Sequence, residues 1–211
     1  MRCCSSRPRS TAKRISARRS ASSIARSPIT RAEPRVRPAT ADDLPAIRAI
    51  YSHYVRHGLG SFEEVPPEAD EMRRRYDEVR GLGLPYLVAV LSGEVVGYGY
   101  CNLFRTRSAY RFSLEDSIYV KDGRHGKGIG RALLTQLIDQ CTALGYRQMI
   151  AVIGDSGNAG SIGLHESLGF LRSGMLRSTG IKFGRWVDTV MMQRSLGSGD
   201  GTLPQQDPGT A

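Results

Sequence analysis

Cysteine, tryptophan and long apolar runs are scarce in this 211-residue chain, and each shortage excludes a class of protein. The four cysteines form no Cys-x-x-Cys pair, so the sequence indicates free thiols in a reducing compartment rather than a disulfide framework. No apolar run approaches the roughly 20 residues of a membrane-spanning helix, which argues against a protein embedded in a bilayer. No set of metal ligands stands at a recognisable spacing, and no metal is predicted.

Acidic residues are nearly absent from residues 1–34, which carry nine Arg or Lys residues against Glu33 alone. This segment therefore holds +8 of the formal net charge of +10, and the rest of the chain is nearly balanced at +2. A balanced remainder gives no support for specific nucleic-acid binding, although the basic segment itself has the charge to attract polyanions weakly.

Composition divides the chain into three segments. Residues 1–34, rich in Ser and Arg and poor in apolar side chains, are predicted to be a disordered basic extension. The alternatives for this segment are an organelle-targeting signal and a wrongly assigned start. The expected location of the protein is the cytoplasm. Residues 35–196 are predicted to form one folded domain, and residues 197–211, rich in Gly, Ser, Pro and Gln, a disordered C-terminal tail.

Strand-like and helix-like patterns alternate through the folded domain. Strands are predicted to begin at Val36 and to cover residues 86–90, 95–102, 112–120, 149–153 and 186–194. Helices are predicted from 40 to about 55, from 67 to about 79, from 128 to 145 and from 158 to 168. This order indicates an α/β (α+β) fold, with a mixed, strongly twisted sheet of about six to seven strands and helices on both faces.

The most informative segment, residues 117–134, runs from a β-rich stretch through a glycine-rich turn into an amphipathic helix. Free main-chain N–H groups and the positive end of a helix dipole then meet at one point, which predicts a binding site for a pyrophosphate. The glycine spacing is one residue short of a dinucleotide fingerprint and lacks the Gly-Lys-Ser/Thr end of a P-loop. Alone, the turn is also compatible with any tight connection from a strand to a helix.

Taken together, the motifs resemble the GNAT superfamily of N-acetyltransferases over residues 35–195. The resemblance is carried in order by Ser-Ile-Tyr-Val at 117–120, Arg-His-Gly-Lys-Gly-Ile-Gly-Arg-Ala-Leu-Leu at 124–134 and Leu-His-Glu-Ser-Leu-Gly-Phe at 164–170. Further segments at 60–63, 109–111, 114–120 and 151–154 are similar to the phosphinothricin/methionine sulfoximine N-acetyltransferases. The resemblance implies a GNAT-like fold, acetyl-CoA as co-substrate and a small primary amine as acceptor.

The same resemblance implies which residues bind acetyl-CoA. The strand before the turn would pair with the pantetheine arm, main-chain N–H groups of the turn would hold the pyrophosphate, and the helix near 158 would contact the arm. These residues are Ile118, Tyr119, Val120, His125, Gly126, Lys127, Gly128, Ile129, Gly130, Arg131, Asn158 and Ser161. The superfamily usually has Arg or Gln where His125 stands, so main-chain contacts are expected to survive better than side-chain contacts.

For the acceptor, the resemblance and the chemistry of an amino acid point to Phe62, Arg107, Tyr110 and Arg111. A guanidinium can hold a carboxylate or phosphinate in a fork, and Arg107 corresponds to a substrate-binding Arg of the family. A solvated, arginine-rich loop is the alternative for Arg107 and Arg111. A core-sealing role is the alternative for Phe62.

Glu115 is the predicted general base. It stands in an otherwise apolar strand, where desolvation raises a carboxyl pKa, and it aligns with the catalytic Glu of the family. An outward-facing strand residue is the alternative. Asp116 points to the opposite face by strand parity and is assigned a structural or supporting role.

His165 is the predicted acid for the departing thiolate. One helix face carries residues 158, 161 and 165, and many superfamily members have a Tyr at the position of His165. The alternatives are a histidine that helps to position the amine and a histidine packed against the sheet. Since no cysteine has an identifiable His partner, direct transfer is preferred over a covalent intermediate.

The sequence thus predicts an acetyl-CoA-dependent N-acetyltransferase that acts on the amine of a small amino acid or analogue. A homodimer is expected from the resemblance, with the charged helix at 67–79 as a candidate contact surface. Two alternatives stay open. One is an N-acetyltransferase for another amine, such as a polyamine, an aminoglycoside or a protein N-terminus, and the other is a non-catalytic acyl-CoA-binding regulatory module.

Overall fold

The structure, a computed structural model, describes residues 33–209. Within this range the strands are β1 (Arg35–Pro38), β2 (Tyr86–Leu91), β3 (Glu94–Leu103), β4 (Ser113–Val120), β5 (Gln148–Gly154), β6 (Leu171–Lys182) and β7 (Arg185–Ser195). The α-helices are α1 (Leu44–His57), α2 (Ala69–Gly81), α3 (Ile129–Ala143) and α4 (Ala159–Glu166). All but the last two residues of the predicted basic extension lie outside the described range, and the predicted domain limits stay predictions.

The seven described strands form one sheet in the order β1-β2-β3-β4-β5-β7-β6. Every neighbouring pair is antiparallel except β4 and β5, which run parallel and are connected through α3. A parallel pair needs such a crossover, whereas the antiparallel pairs need only turns or loops. The predicted mixed sheet of six to seven strands is confirmed.

Helices cover both faces of the sheet, as predicted. On one face α3 packs against β3, where the buried side chains of Cys101 and Cys141 bring their sulfur atoms to 3.6 Å. On the other face α1 packs against β4, where the rings of Tyr51 and Tyr119 meet edge to face with centroids 5.2 Å apart. The sheet is therefore the middle layer of three.

One strand, β6, is missed by the sequence analysis, which predicts no strand between Gly169 and Trp186. It pairs with β7 at the edge of the sheet, and most of its residues are exposed. Because both faces of such a strand meet solvent, its sequence lacks the alternation of apolar and polar residues that identifies a half-buried strand.

The described part of the chain after β7 has no helix or strand, but it contacts the domain. The main-chain N–H of Gly209 donates to the carbonyl oxygen of Leu144 at 2.9 Å. The guanidinium of Arg111 donates to the carboxylate of Asp207 at 2.7 Å. The disorder expected for residues 197–211 stays a prediction.

Helix α3 lies so close to β3 that residue 97 has no room for a side chain. A Cβ built on Gly97 would stand 2.9 Å from Cγ2 of Ile129 and 3.0 Å from the carbonyl oxygen of Tyr119. Ile129 is the first residue of α3 and is buried. The contact therefore sets how the start of α3, and the glycine-rich turn before it, rests on the sheet.

Gly97→Ala is expected to destabilise the fold by roughly 1–3 kcal/mol, the range for an overpacked core. Neither neighbour can move aside cheaply, since one is main chain and the other is the branch of a buried isoleucine. Denaturant unfolding measures the change. The matched control is Gly163→Ala, because a Cβ at this position in α4 meets nothing within 4 Å. Equal stability of the two variants would contradict the close approach.

Candidate active site

The candidate site is a gap between β4 and β5. The two strands pair in parallel only over residues 113–116 and 148–151, and the last pair is Asp116 opposite Ala151. Each strand then continues beside its outer neighbour to its own end. A cavity of about 200 Å³ lies between the diverging ends and is lined by both strands, by α4 and by α1. The inner edges of the two strands offer main-chain polar groups with which an extended ligand can pair.

The glycine-rich turn connects the end of β4 to α3. Gly126 and Gly128 have φ angles of +70° and +80°, in the left-handed region, and Gly128 caps α3. A Cβ on either residue would meet nothing within 4 Å, so backbone conformation rather than space calls for glycine. The first N–H groups of α3, from Ile129 onward, have no acceptor within the helix. Together with the helix dipole they suit a diphosphate.

His125, in this turn, lines the cavity and is hydrogen-bonded to α1. The hydroxyl of Tyr54 donates to the carbonyl oxygen of Val120 at 2.6 Å and lies 2.9 Å from Nε2 of His125. Since a hydroxyl has one proton, His125 is the donor in the second bond, which places its proton on Nε2. The neighbouring Arg124 is held by Glu94 at 2.9 Å. The side chains of Arg124 and His125 thus have protein partners.

Helix α4 brings Asn158, Ser161 and His165 to the cavity wall. Asn158 caps the helix, because its side-chain oxygen accepts the main-chain N–H of Ser161 at 3.1 Å. The three residues are spaced three and four apart, so they share one helix face. Spacing in the sequence is enough to place them on the same side.

His165 is buried against β4. Its side chain is 4% exposed and that of Asp116 is 1% exposed, and Nε2 lies 3.0 Å from Oδ2 of Asp116. Nδ1 lies 2.7 Å from the main-chain oxygen of Ser161. Burial lowers the pKa of His165, but the hydrogen bond and charge of Asp116, with the bond to Ser161, outweigh burial, so the pKa is raised overall.

Glu115 lies on the opposite face of β4 from Asp116. It is half-buried, stands opposite Asn102 of β3 and is outside the lining of the cavity. Burial raises the pKa of Glu115, the charge of Asp116 raises it further, and Arg105 lowers it. A raised pKa makes the ionised carboxylate of Glu115 a stronger base than that of an exposed Glu.

The four predicted acceptor residues are not brought together. The ring of Phe62 packs beside Gly154, which lines the cavity, so Phe62 stands at its rim. The other three lie on the loop between β3 and β4 and are exposed and outside the cavity lining: Arg107, Tyr110 and Arg111. In this structure the arginine-rich loop is a separate surface.

A smaller cavity of about 80 Å³ lies on the α1 and α2 side of the sheet. Its walls include Tyr51, Arg75, Tyr98, Tyr100 and Asn102. The tyrosines at 98 and 100 alternate along β3, which is a local signal for one face. Nothing in the sequence marks Arg75, because it reaches the site from α2, where charged residues also cover the solvent face.

Among residues 33–209, no group of three or more His, Cys, Asp or Glu side chains is arranged to hold a metal ion. Within the same range no helix is both long and apolar enough to cross a membrane. The two cysteines in the described part of the chain, Cys101 and Cys141, are buried and do not line the cavity between β4 and β5.

Comparisons with known proteins by sequence and by structure find acetyltransferases of the same family. The family model described as acetyltransferase (GNAT) family matches residues 46–170. The chain is 56% identical over 170 residues to a phosphinothricin N-acetyltransferase of Alcaligenes faecalis, covering 81% of this chain and 86% of that one. It is 41% identical over 162 residues to an L-methionine sulfoximine/L-methionine sulfone acetyltransferase of Pseudomonas aeruginosa, covering 76% and 94%.

A crystal structure of a GNAT superfamily phosphinothricin acetyltransferase from Sinorhizobium meliloti, in complex with AcCoA, superimposes with a TM-score of 0.81. The two sequences are 48% identical, and the match covers 84% of this chain and 97% of that chain. The chain therefore belongs to the acetyltransferase (GNAT) family.

Proposed function

We propose that this chain is an acetyl-CoA-dependent N-acetyltransferase that acts on the amine of a small amino acid or analogue of the phosphinothricin or methionine sulfoximine type. The observation that carries the proposal is the gap between β4 and β5 with the glycine-rich turn following β4. The strand edges suit an amide-containing arm, and the turn suits a diphosphate. CoA carries both groups in the same order.

Direct transfer from thioester to amine is the mechanism that the described residues support. Cys101 and Cys141 are 0% exposed and lie outside the cavity, so neither is placed to carry an acetyl group. An amine of ordinary pKa is mostly ammonium at neutral pH and must lose a proton before it attacks. Glu115, with its raised pKa, is the proposed acceptor of that proton.

His165 is the proposed acid on the other side of β4. It lines the cavity with Asn158 and Ser161, and its raised pKa favours the charged imidazole that can give a proton to a thiolate. Glu115 and Asp116, adjacent on β4, point to opposite faces. The base and the acid are thus separated by the sheet.

The acceptor class is tested by a panel of amines with acetyl-CoA, followed by thiol release: methionine sulfoximine, phosphinothricin, spermidine and a short peptide. Acetylation of the two amino-acid analogues alone is expected. Turnover of spermidine or peptide alone would assign a different acceptor. CoA binding without turnover of any amine would favour an acyl-CoA-binding regulatory module.

Glu115→Gln is expected to lower kcat by about 10²–10⁴-fold, the usual contribution of a positioned base. The base must be ionised to act, so wild-type kcat should fall as the pH drops through a pKa raised above the ordinary value of Glu, and the variant should lack this limb. Thiol release in timed samples over a pH series measures kcat and its pH dependence for the wild type and the variant. Glu68→Gln, at an exposed surface ion pair with Arg48, is the matched control. Full turnover by Glu115→Gln would remove the base assignment.

A homodimer formed through β6 and β7 is the proposed assembly. Six large apolar side chains of this edge hairpin are between 44% and 75% exposed: Leu171, Met175, Leu176, Ile181, Phe183 and Trp186. An unpaired edge strand with apolar neighbours is suited to contact a second copy of itself. The outer face of α2 instead carries ion pairs such as Arg73 with Asp77 at 2.9 Å, which favours solvent.

Light scattering after size exclusion is expected to give twice the chain mass of 23.1 kDa. Replacing Ile181 and Trp186 together by Ser should yield the monomer, because both are more than half exposed in the single chain. Leu203→Ser, at a residue that is 91% exposed elsewhere, is the control. A dimer that survives the double change would place the interface on another surface.

A further inference from the structure

Both ring nitrogens of His165 face acceptors. Nδ1 lies 2.7 Å from the carbonyl oxygen of Ser161, which can only accept, so Nδ1 carries a proton. Nε2 lies 3.0 Å from Oδ2 of Asp116. If neither of these two atoms held a proton, the lone pair of an imidazole would face a carboxylate. The geometry therefore requires one proton between Nε2 and Oδ2.

Burial strengthens this requirement. Both residues are buried, main chain included. With the shared proton the pair is neutral overall, and without it the pair leaves one uncompensated negative charge away from water, which is costly. In the resting structure the pair therefore holds a proton.

The surroundings of the pair hold few other titratable groups. Cys101 of β3 stands opposite Asp116 in the strand register, and Cys141 of α3 contacts Cys101. The ring of Phe170 meets that of His165 edge to face at 4.9 Å. Glu115 is next to Asp116 on β4 and faces the other side of the sheet. Asp116 is therefore the charged group that faces His165 directly.

The second oxygen of Asp116, Oδ1, is buried and has no hydrogen-bond partner within residues 33–209. Asp116 lines the cavity at the last paired position before β4 and β5 diverge. A buried carboxylate oxygen without a partner is costly in a folded protein. This cost is smaller when the proton shared with His165 neutralises the pair.

We propose that Asp116 is a positioning residue for acetyl transfer, which keeps a proton on Nε2 of His165 for the thiolate that leaves the thioester. This inference rests on the proposed function. As the amine nitrogen bonds to the acetyl carbon, the C–S bond breaks and its electron pair goes to sulfur. Sulfur, arriving from the cavity, competes with Oδ2 for the proton on Nε2 and takes it, which leaves Asp116 as carboxylate and His165 neutral. The nitrogen loses two protons in all: Glu115 takes the one that the ammonium loses before attack, and the one lost as the amide forms restores the pair.

Asp116 raises the fraction of His165 that carries the proton to be donated. At an ordinary pKa near 6.5, only about a quarter of an imidazole is charged at pH 7. A carboxylate in hydrogen-bond contact raises the charged fraction of the imidazole. Because a thiol titrates near 8.5, the raised pKa of the imidazole lies closer to that of the thiol that it forms, which favours proton transfer. His165 without Asp116 would be mostly neutral at the pH where a thiolate forms.

The first test is the titration of His165 by NMR in protein labelled at histidine, with His165→Gln identifying its signal. In the wild type the imidazole should titrate above 6.5. In Asp116→Asn the amide can donate to Nε2, so the fold is retained and the titration should move down by about 1–3 pH units, the range for loss of a nearby opposite charge. An unchanged titration in Asp116→Asn, or a wild-type value at or below 6.5, would overturn the proposal.

The second test is the pH dependence of kcat. The alkaline limb should move to lower pH in Asp116→Asn by the same amount as the titration, with KM for acetyl-CoA unchanged. Asp139→Asn, at an exposed position of α3, is the matched control and should leave the limb in place. A limb that stays in place in Asp116→Asn would contradict the role. The titration needs no turnover, so its outcome is separate from failure of the acceptor panel.

Discussion

The separation of β4 from β5 is the constraint on which the rest of the structure depends. Each strand is held by its other neighbour, β4 by β3 and β5 by β7, along nearly its whole length. Both therefore stay extended after Asp116 and Ala151, where their own pairing ends. An inner edge of a sheet is normally closed by hydrogen bonds, and here it is open. The glycine-rich turn and α3 follow the end of β4, and α4 follows the end of β5. The turn and the starts of both helices therefore lie at the gap.

The alternation of side chains along β4 places one acidic residue on each face of the sheet. Glu115 and Asp116 are consecutive, and each side of the sheet receives one carboxyl group. On the α3 and α4 side, Asp116 has a buried histidine as its partner. On the α1 and α2 side, Glu115 interacts with the charge of Arg105 and with Tyr100, and is partly desolvated. Two neighbouring acids thus have different partners because different layers pack on them.

What the sequence predicts well is local. The glycine-rich turn, the start of α3 and the shared face of Asn158 and His165 depend on residues a few positions apart. The contact of His165 with Asp116 joins residues 49 positions apart and depends on how α4 docks on β4, which no pattern in the sequence specifies. Arg107 and Arg111 have the right chemistry for a carboxylate, but the path of their loop decides where they stand. β6 gives no periodic signal because both its faces meet solvent.

The central claim is that an open strand edge and a glycine-rich helix start together hold the arm and the diphosphate of CoA. Calorimetric titration of CoA and of pantetheine, which has the arm without the diphosphate, tests it most directly. Saturable one-to-one binding of CoA, with much weaker binding of pantetheine, is the expected result. No affinity for CoA, or equal affinity for the two compounds, would contradict the account.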